Sequence, residues 1–246
     1  MIGQLGYLEF MGGFAQTLEM RTSAEIQDAI SKLSETEQGE LFRWLEIHLG
    51  MCEMVEQVVR LTQCYEICWE IVNRENAKRY VVVKQEYWDF FEPVTHVLLW
   101  QGFVVICYQL FDQRPDSKHI QLRIDQVAEK DTRLADEMRN KIKRFGVLTK
   151  IKTIRHKISA HRDRYRSPQQ VTKNERLTAN ELKKVLLFVQ DIVSTLVEAL
   201  GGEKKSAVME KFSACQNSSR DSTFQVMEAL AKSLRDASGA GLTFGE

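Results

Sequence analysis

Beyond residue 21, apolar positions recur every three or four residues, and the chain reads as one helix after another. "TSAEIQDAISKL" opens with a capping box, Thr22 to Glu25, and "SETEQGELFRWLEIHL" opens with a second, Ser34 to Glu37. Two short helices joined at Leu33–Ser34 follow from these. The next pattern predicts a long helix over roughly 51–75, with Val55, Val58, Thr62, Tyr65, Trp69 and Val72 on one side. Another runs over roughly 84–111, where Pro93 should kink it or mark a break. "DQRPDS" (112–117) predicts a turn, residues 119–129 a shorter helix, and about 131–165 a further helix with a break near Gly146. "RSPQQVTKNER" reads as a loop. "TANE" (178–181) is a third capping box, opening a helix that runs to Leu200 and ends at Gly201-Gly202. Two amphipathic stretches, about 203–215 and 221–236, precede a Gly-rich end. Only "RYVVVK" (79–84) competes as a strand, and it could equally start a helix. No internal repeat is visible. The fold class this predicts is all-α: a bundle of long antiparallel helices with shorter helices at each end.

Composition agrees. Three prolines leave few points that forbid a continuing helix, and 43% hydrophobic residues supply ample core. Residues 1–21 carry weak, Gly-spotted patterning and read as a disordered extension or as sequence upstream of the real start. They lack a basic n-region and contain Glu9 and Glu19, so no secretory signal is predicted. The longest apolar run, 94–111, is interrupted by Thr95, His96, Gln101 and Gln109 and falls short of the ~20 residues that span a bilayer. It reads as a buried helix, with no membrane partner. The five cysteines are odd in number and lie within helical patterns, which points to reduced thiols in the cytoplasm. Cys64 and Cys68 share a helix face, but no second pair has zinc spacing, so core packing is the reading and no metal or cofactor is predicted.

Net charge is zero, so the chain as a whole makes no case for a polyanionic partner. Its distribution does. Residues 150–166 hold seven bases and one acid, a net of +6, whereas residues 23–56 hold eight acids and two bases, a net of −6. The basic segment contains "TIRHKISAHRDRYR" (153–166). On a helical wheel of about 100° per residue, Val147, Ile151, Ile154 and Ile158 form one stripe, and the next position in that register is His161. Arg155 falls at the edge of this seam, while His156, Lys157 and Asp163 point elsewhere. A solvated basic helix would not put a histidine on its apolar stripe. Two readings stay open: a structural histidine buried neutral, or a neutral imidazole poised to accept a proton. Arg155 and His161 lie six residues apart, about 120° around the wheel. One straight helix aims both at a small ligand only if a cleft between helices, or between two copies of the chain, lies at the seam.

"IRHKISAHRDR" resembles the signature of the HEPN superfamily: an arginine, a polar residue, and a histidine shortly after. The closing "AHRD" (160–163) and the upstream "YQLFDQRPDSKHIQL" (108–122) resemble its abortive-infection AbiU-like branch. The resemblance covers roughly residues 55–200. It implies a bundle of four or five core helices, often dimeric, whose active members cleave RNA without metal at a cleft shared by two copies. On this resemblance Arg155 would stabilise the scissile phosphate, His161 would act as general base or acid, and His156 would orient the phosphate or share the proton. Lys152, Lys157, Arg162, Arg164 and Arg166 would track the RNA backbone. The products implied carry a 2′,3′-cyclic phosphate and a 5′-hydroxyl. His156 departs from the Asn or Asp more usual at the polar position. Residues 23–48 are similar to a short helical segment of small bacterial antitoxin-like proteins.

The domain organisation expected is therefore an N-terminal extension (1–21), an antitoxin-like segment (22–50), a HEPN-like bundle (51–202) and a helical tail (203–246). Expected partners are RNA, a second copy of the chain, and an antitoxin or regulatory protein. Three functions compete: a toxin or defence ribonuclease, a non-catalytic module that binds RNA, nucleotide or protein through the same cleft, and a helical dimerisation domain. The −6 segment could also cover the +6 helix, against the plainer reading of two solvated faces.

Overall fold

The computed structural model describes residues 27–28, 30–72, 78–112, 120–157 and 177–238. The Thr22–Glu25 capping box, most of the "DQRPDS" turn, the "RSPQQVTKNER" loop and the seam positions Ile158 and His161 lie outside them. The described residues are mostly helical, with no strand among them: α1 (Glu35–Val72), α2 (Val81–Glu86), α3 (Trp88–His96), a π-helical stretch (Val97–Val104), α4 (Val105–Leu110), α5 (Ile120–Ala128), α6 (Thr132–Arg144), α7 (Val147–Arg155), α8 (Ala179–Ala199) and α9 (Lys205–Ser238). The chain thus has the all-α bundle its periodicity predicts, and "RYVVVK" resolves to helix.

The chain divides into two compact units, the first ending at His48 and the second beginning at Leu49. In the first, Ser34 caps α1. Its backbone N–H donates to the Glu37 carboxylate at 2.8 Å, and the Glu37 N–H donates back to the Ser34 hydroxyl at 3.4 Å. The helix then continues through Gly50, where the sequence pattern suggests a break between 34–49 and 51–75. The reason is a close approach: a Cβ at Gly50 would lie 1.9 Å from an Arg123 guanidinium nitrogen of α5.

In the second unit, α1 buries Met51, Met54, Val58, Leu61, Tyr65 and Cys68. These alternate spacings of three and four, the seam of a packed helix pair. The stripe lies to one side of the predicted one, so Val72 is exposed. Against it runs α8, capped by a complete Thr178–Glu181 box and buried along Leu182, Val185, Val189, Ile192, Val193 and Leu196. The Gln190 side chain of α8 donates to the buried Thr62 hydroxyl of α1 at 3.1 Å, satisfying a polar pair inside the interface. Gly201, at φ 90°, ends α8 where an L side chain would be strained.

Pro93 sits inside α3, and the ladder widens into the π-helical stretch directly after it. A proline withdraws one N–H donor, and an inserted residue re-registers the chain. The span Asp89–Leu110 is long and apolar enough to cross a membrane by length and composition, with a mean hydropathy of 1.4. It contributes Phe91, Phe103, Val104, Cys107 and Leu110 to the core of the bundle. The two predicted C-terminal stretches form one 34-residue helix, α9. Arg220 on α9 reaches the buried Glu66 of α1 at 2.6 Å, and Gln216 donates to the same carboxylate at 3.2 Å.

Candidate functional site

The basic helix α7 begins after a bend at Phe145–Gly146. Phe145 leaves the helical backbone (φ −84°, ψ 79°) and stacks on Phe188 of α8, ring centroids 4.0 Å apart. This sets the last turn of α6 beside the first turn of α7. Ile151 and Ile154 of α7 are buried, as the seam predicts, and Val147 is half-buried. Arg155 lies at the seam's edge, also as predicted, and is half-buried.

Its surroundings give Arg155 a defined direction. The guanidinium lies over the Tyr108 ring of α4, 4.4 Å from the centroid. His156 meets the same ring edge-on, centroids 5.8 Å apart and planes at 79°. Tyr108 thus brings together two side chains that adjacent helix positions would splay about 100° apart. The backbone N–H of His156 still bonds to Lys152 and Thr153, so the helix carries past Arg155.

His156 and Lys152 line a cleft of about 620 Å³ between α4, α6 and α7. Cys107, Ile151 and the Asp112 carboxylate form its buried wall, Phe111 and Phe145 its half-buried flanks, and Lys143, Thr149 and Lys152 stand exposed at the mouth. Burial pushes the Cys107 thiol up to about 12, so it remains a neutral packing group and not a thiolate nucleophile. Two neighbouring lysines are committed elsewhere: Lys150 pairs with Glu181 and Lys141 with Asp191. Among the described residues, neither Lys143, Lys152 nor Arg155 has a carboxylate partner. The cleft therefore has aromatic flanks, a buried carboxylate in its wall, and Lys143 and Lys152 at its rim, which suits a ligand that joins an anionic group to a ring with polar edges.

Of the residues that sequence reasoning selects, Arg155, His156 and Lys152 come together here. Lys157 is half-buried at the next position and makes interactions of its own. His161, Arg162, Arg164 and Arg166 lie outside the described residues. Tyr108, Lys143 and Phe145 go unselected. The only signal for them is the run of aromatic residues in "YQLF" and the basic end of α6. Among the described residues no group of three or more His, Cys, Asp or Glu side chains is placed to hold a metal.

Residues 50–222 match the model of the HEPN family described as AbiU2. The chain belongs to the AbiU2 family of HEPN domains. The match runs from Gly50, two residues after His48, into the middle of α9, so it takes in α4, α6 and α7 and every described residue of the cleft. An AbiU2 assignment makes the chain an abortive-infection HEPN-type module. No match was found among curated proteins or among solved structures.

Proposed function

We propose that the chain is a metal-independent endoribonuclease of the toxin or defence type. The observation that supports this best is the meeting of Arg155 and His156 on the Tyr108 ring beside an aromatic, cation-rimmed cleft in an AbiU2 HEPN chain. A guanidinium seated over a ring still has N–H donors that can grip a phosphate in bidentate fashion. In this reading His161 takes the proton from the 2′-hydroxyl. The 2′-oxygen forms a bond to phosphorus, the bond from phosphorus to the 5′-oxygen breaks, and a protonated imidazole supplies the proton to the leaving oxygen. The products are a 2′,3′-cyclic phosphate and a 5′-hydroxyl. His156 orients the phosphate or shares the proton, and Lys152, Lys157, Arg162, Arg164 and Arg166 track the strand. A second copy of the chain completes the site, the protein acts in the cytoplasm, and an antitoxin or regulatory protein restrains it.

The deciding experiment incubates purified chain with total RNA in EDTA. Cleavage by wild type and its loss in His161→Ala and Arg155→Ala support the reading; equal cleavage by all three rejects it. A monomeric mass in solution rejects the shared site.

His156 favours a second reading, a module that binds RNA or nucleotide without turnover, because an imidazole packed edge-on against Tyr108 is a recognition geometry as much as a catalytic one. That reading predicts binding that Arg155→Ala weakens and His161→Ala leaves unchanged, with no product under any condition.

A further inference from the structure

The bend at Phe145–Gly146 places a second basic element beside the motif helix. The last turn of α6 carries Lys141, Lys143 and Arg144. Lys141 is taken by Asp191, but among the described residues Lys143 and Arg144 have no acidic partner, and both are exposed. The helix dipole favours cations at this position. It does not account for the two hollows they border. One is the cleft of about 620 Å³ beside His156; the other, of about 670 Å³, lies against Arg144 and Asn140, and Phe145 lines both.

The first hollow falls within the ~300–1,000 Å³ of small-ligand sites, more volume than a phosphate group alone would fill. Its buried wall joins Cys107 and Ile151 to the Asp112 carboxylate, its flanks are the rings of Tyr108, Phe111 and Phe145, and its rim is cationic. That order of surfaces matches a nucleotide whose base is turned inward and whose phosphates stay at the rim. A base within a duplex is stacked on both faces and cannot enter; an unpaired base can.

We infer that the last turn of α6 is a second strand-binding element, with Lys143 and Arg144 on backbone phosphates, and that the cleft takes one unpaired base between that turn and His156. The substrate at this surface is then single-stranded RNA. This rests on the reading that the chain acts on RNA, but assigns residues and a strand form which that reading leaves open.

The test uses the full chain and a fluorescein-labelled, fully 2′-O-methylated oligoribonucleotide, which lacks the attacking hydroxyl, alone and annealed to its complement. Anisotropy is read across a salt series for wild type, Lys143→Gln/Arg144→Gln and Thr149→Trp. All three substituted side chains are exposed, so the fold tolerates the changes, and far-UV circular dichroism checks this. The expected result is tighter binding of the single strand. The double variant should lower the slope of log K against log salt by about 1.4, since each single-strand phosphate contact contributes about 0.7. Thr149→Trp, which crowds the cleft mouth, should remove the preference for the single strand. An unchanged slope in the double variant, or equal affinity of wild type for single strand and duplex, overturns the inference. The nuclease reading fails separately. If these variants alter binding as stated while wild type cleaves no RNA, the strand-binding element stands and the nuclease falls. If wild type cleaves RNA while both variants bind and cleave as wild type does, the reverse holds.

Discussion

The guanidinium carbon of Arg155 lies 4.4 Å from the centroid of Tyr108, a ring that α4 supplies from 47 positions earlier in the chain. A cation on an aromatic face contributes about 0.5–1 kcal/mol at partly exposed sites, and it fixes direction as well as energy. Tyr108→Phe keeps the face and should leave RNA cleavage within about twofold of wild type. Tyr108→Leu removes it and should lower the rate about fivefold, the equivalent of ~1 kcal/mol. Single-turnover cleavage of one labelled RNA, with a thermal melt of each variant, separates lost positioning from lost packing.

His156 shares that ring and lines the cleft. A hydrogen bond to a charged group is worth about 1.5–3 kcal/mol, or roughly 10–100-fold in rate when it acts on the transition state. His156→Ala should therefore reduce kcat by about that factor with little change in KM. His156→Asn, which keeps a polar group at the position, should recover most of it. A pH profile of kcat for the Asn variant that matches wild type assigns His156 to phosphate orientation; a lost limb assigns it to proton transfer.

Local signals in this chain are legible and long-range ones are not. The capping boxes at Ser34 and Thr178, the stop at Gly201 and the bend near Gly146 are written within four residues, and all four appear. The Ile151–Ile154 seam and the edge position of Arg155 follow from helical period alone. Gly50 misleads because its meaning lies in Arg123, far along the chain. The polar "QNSSR" of α9 looks like an interruption until Glu66 is seen opposite it. The cleft is illegible for the same reason: Tyr108, Lys143 and His156 belong to three helices, and no spacing in the sequence announces their meeting.

Two glycines of α1 set intrinsic propensity against packing. Gly39 has nothing within 4 Å of a hypothetical Cβ, whereas at Gly50 the Arg123 guanidinium carbon would lie 2.5 Å away. Gly39→Ala should stabilise by up to about 1 kcal/mol, the helix-propensity gain. Gly50→Ala gains the same amount locally but must displace a fully buried arginine, and overpacking costs about 1–3 kcal/mol. The sign should reverse between the two. Urea unfolding of both variants checks it, and stabilisation by Gly50→Ala would mean that Arg123 relocates freely.

The pair between Glu66 and Arg220 is asymmetric: the Glu66 side chain is 1% exposed and that of Arg220 41%. Removing the arginine leaves a buried carboxylate with Gln216 as its remaining donor among the described residues, whereas removing the charge on Glu66 leaves an arginine that water can solvate. Breaking a buried pair costs about 3–5 kcal/mol, less here because one partner is partly hydrated. Arg220→Ala should destabilise by about 2–3 kcal/mol and Glu66→Gln by less. Equal losses would show that the contact serves only to pack α9 on α1.

Asp191 gives the acid limb of stability a local origin. Burial alone would raise its pKa, but hydrogen bonds from Lys141 and Lys205 outweigh it and hold the carboxyl below the ordinary 3.8. A carboxylate depressed in the folded state stabilises fully above its unfolded value and loses that contribution as pH falls through its folded value. Stability should thus be independent of Asp191 titration at neutral pH and should fall below pH 3.8, as α6 and α9 lose their common anchor on α8. Asp191→Asn lacks the charge at every pH, so it should be less stable than wild type near neutrality and should converge with it in acid. Thermal melts from pH 7 down to pH 3 test this. Parallel curves across that range would place the acid sensitivity elsewhere, with the Glu181 carboxyl, depressed by Lys150 and the Thr178 cap, next in line at the head of the same helix.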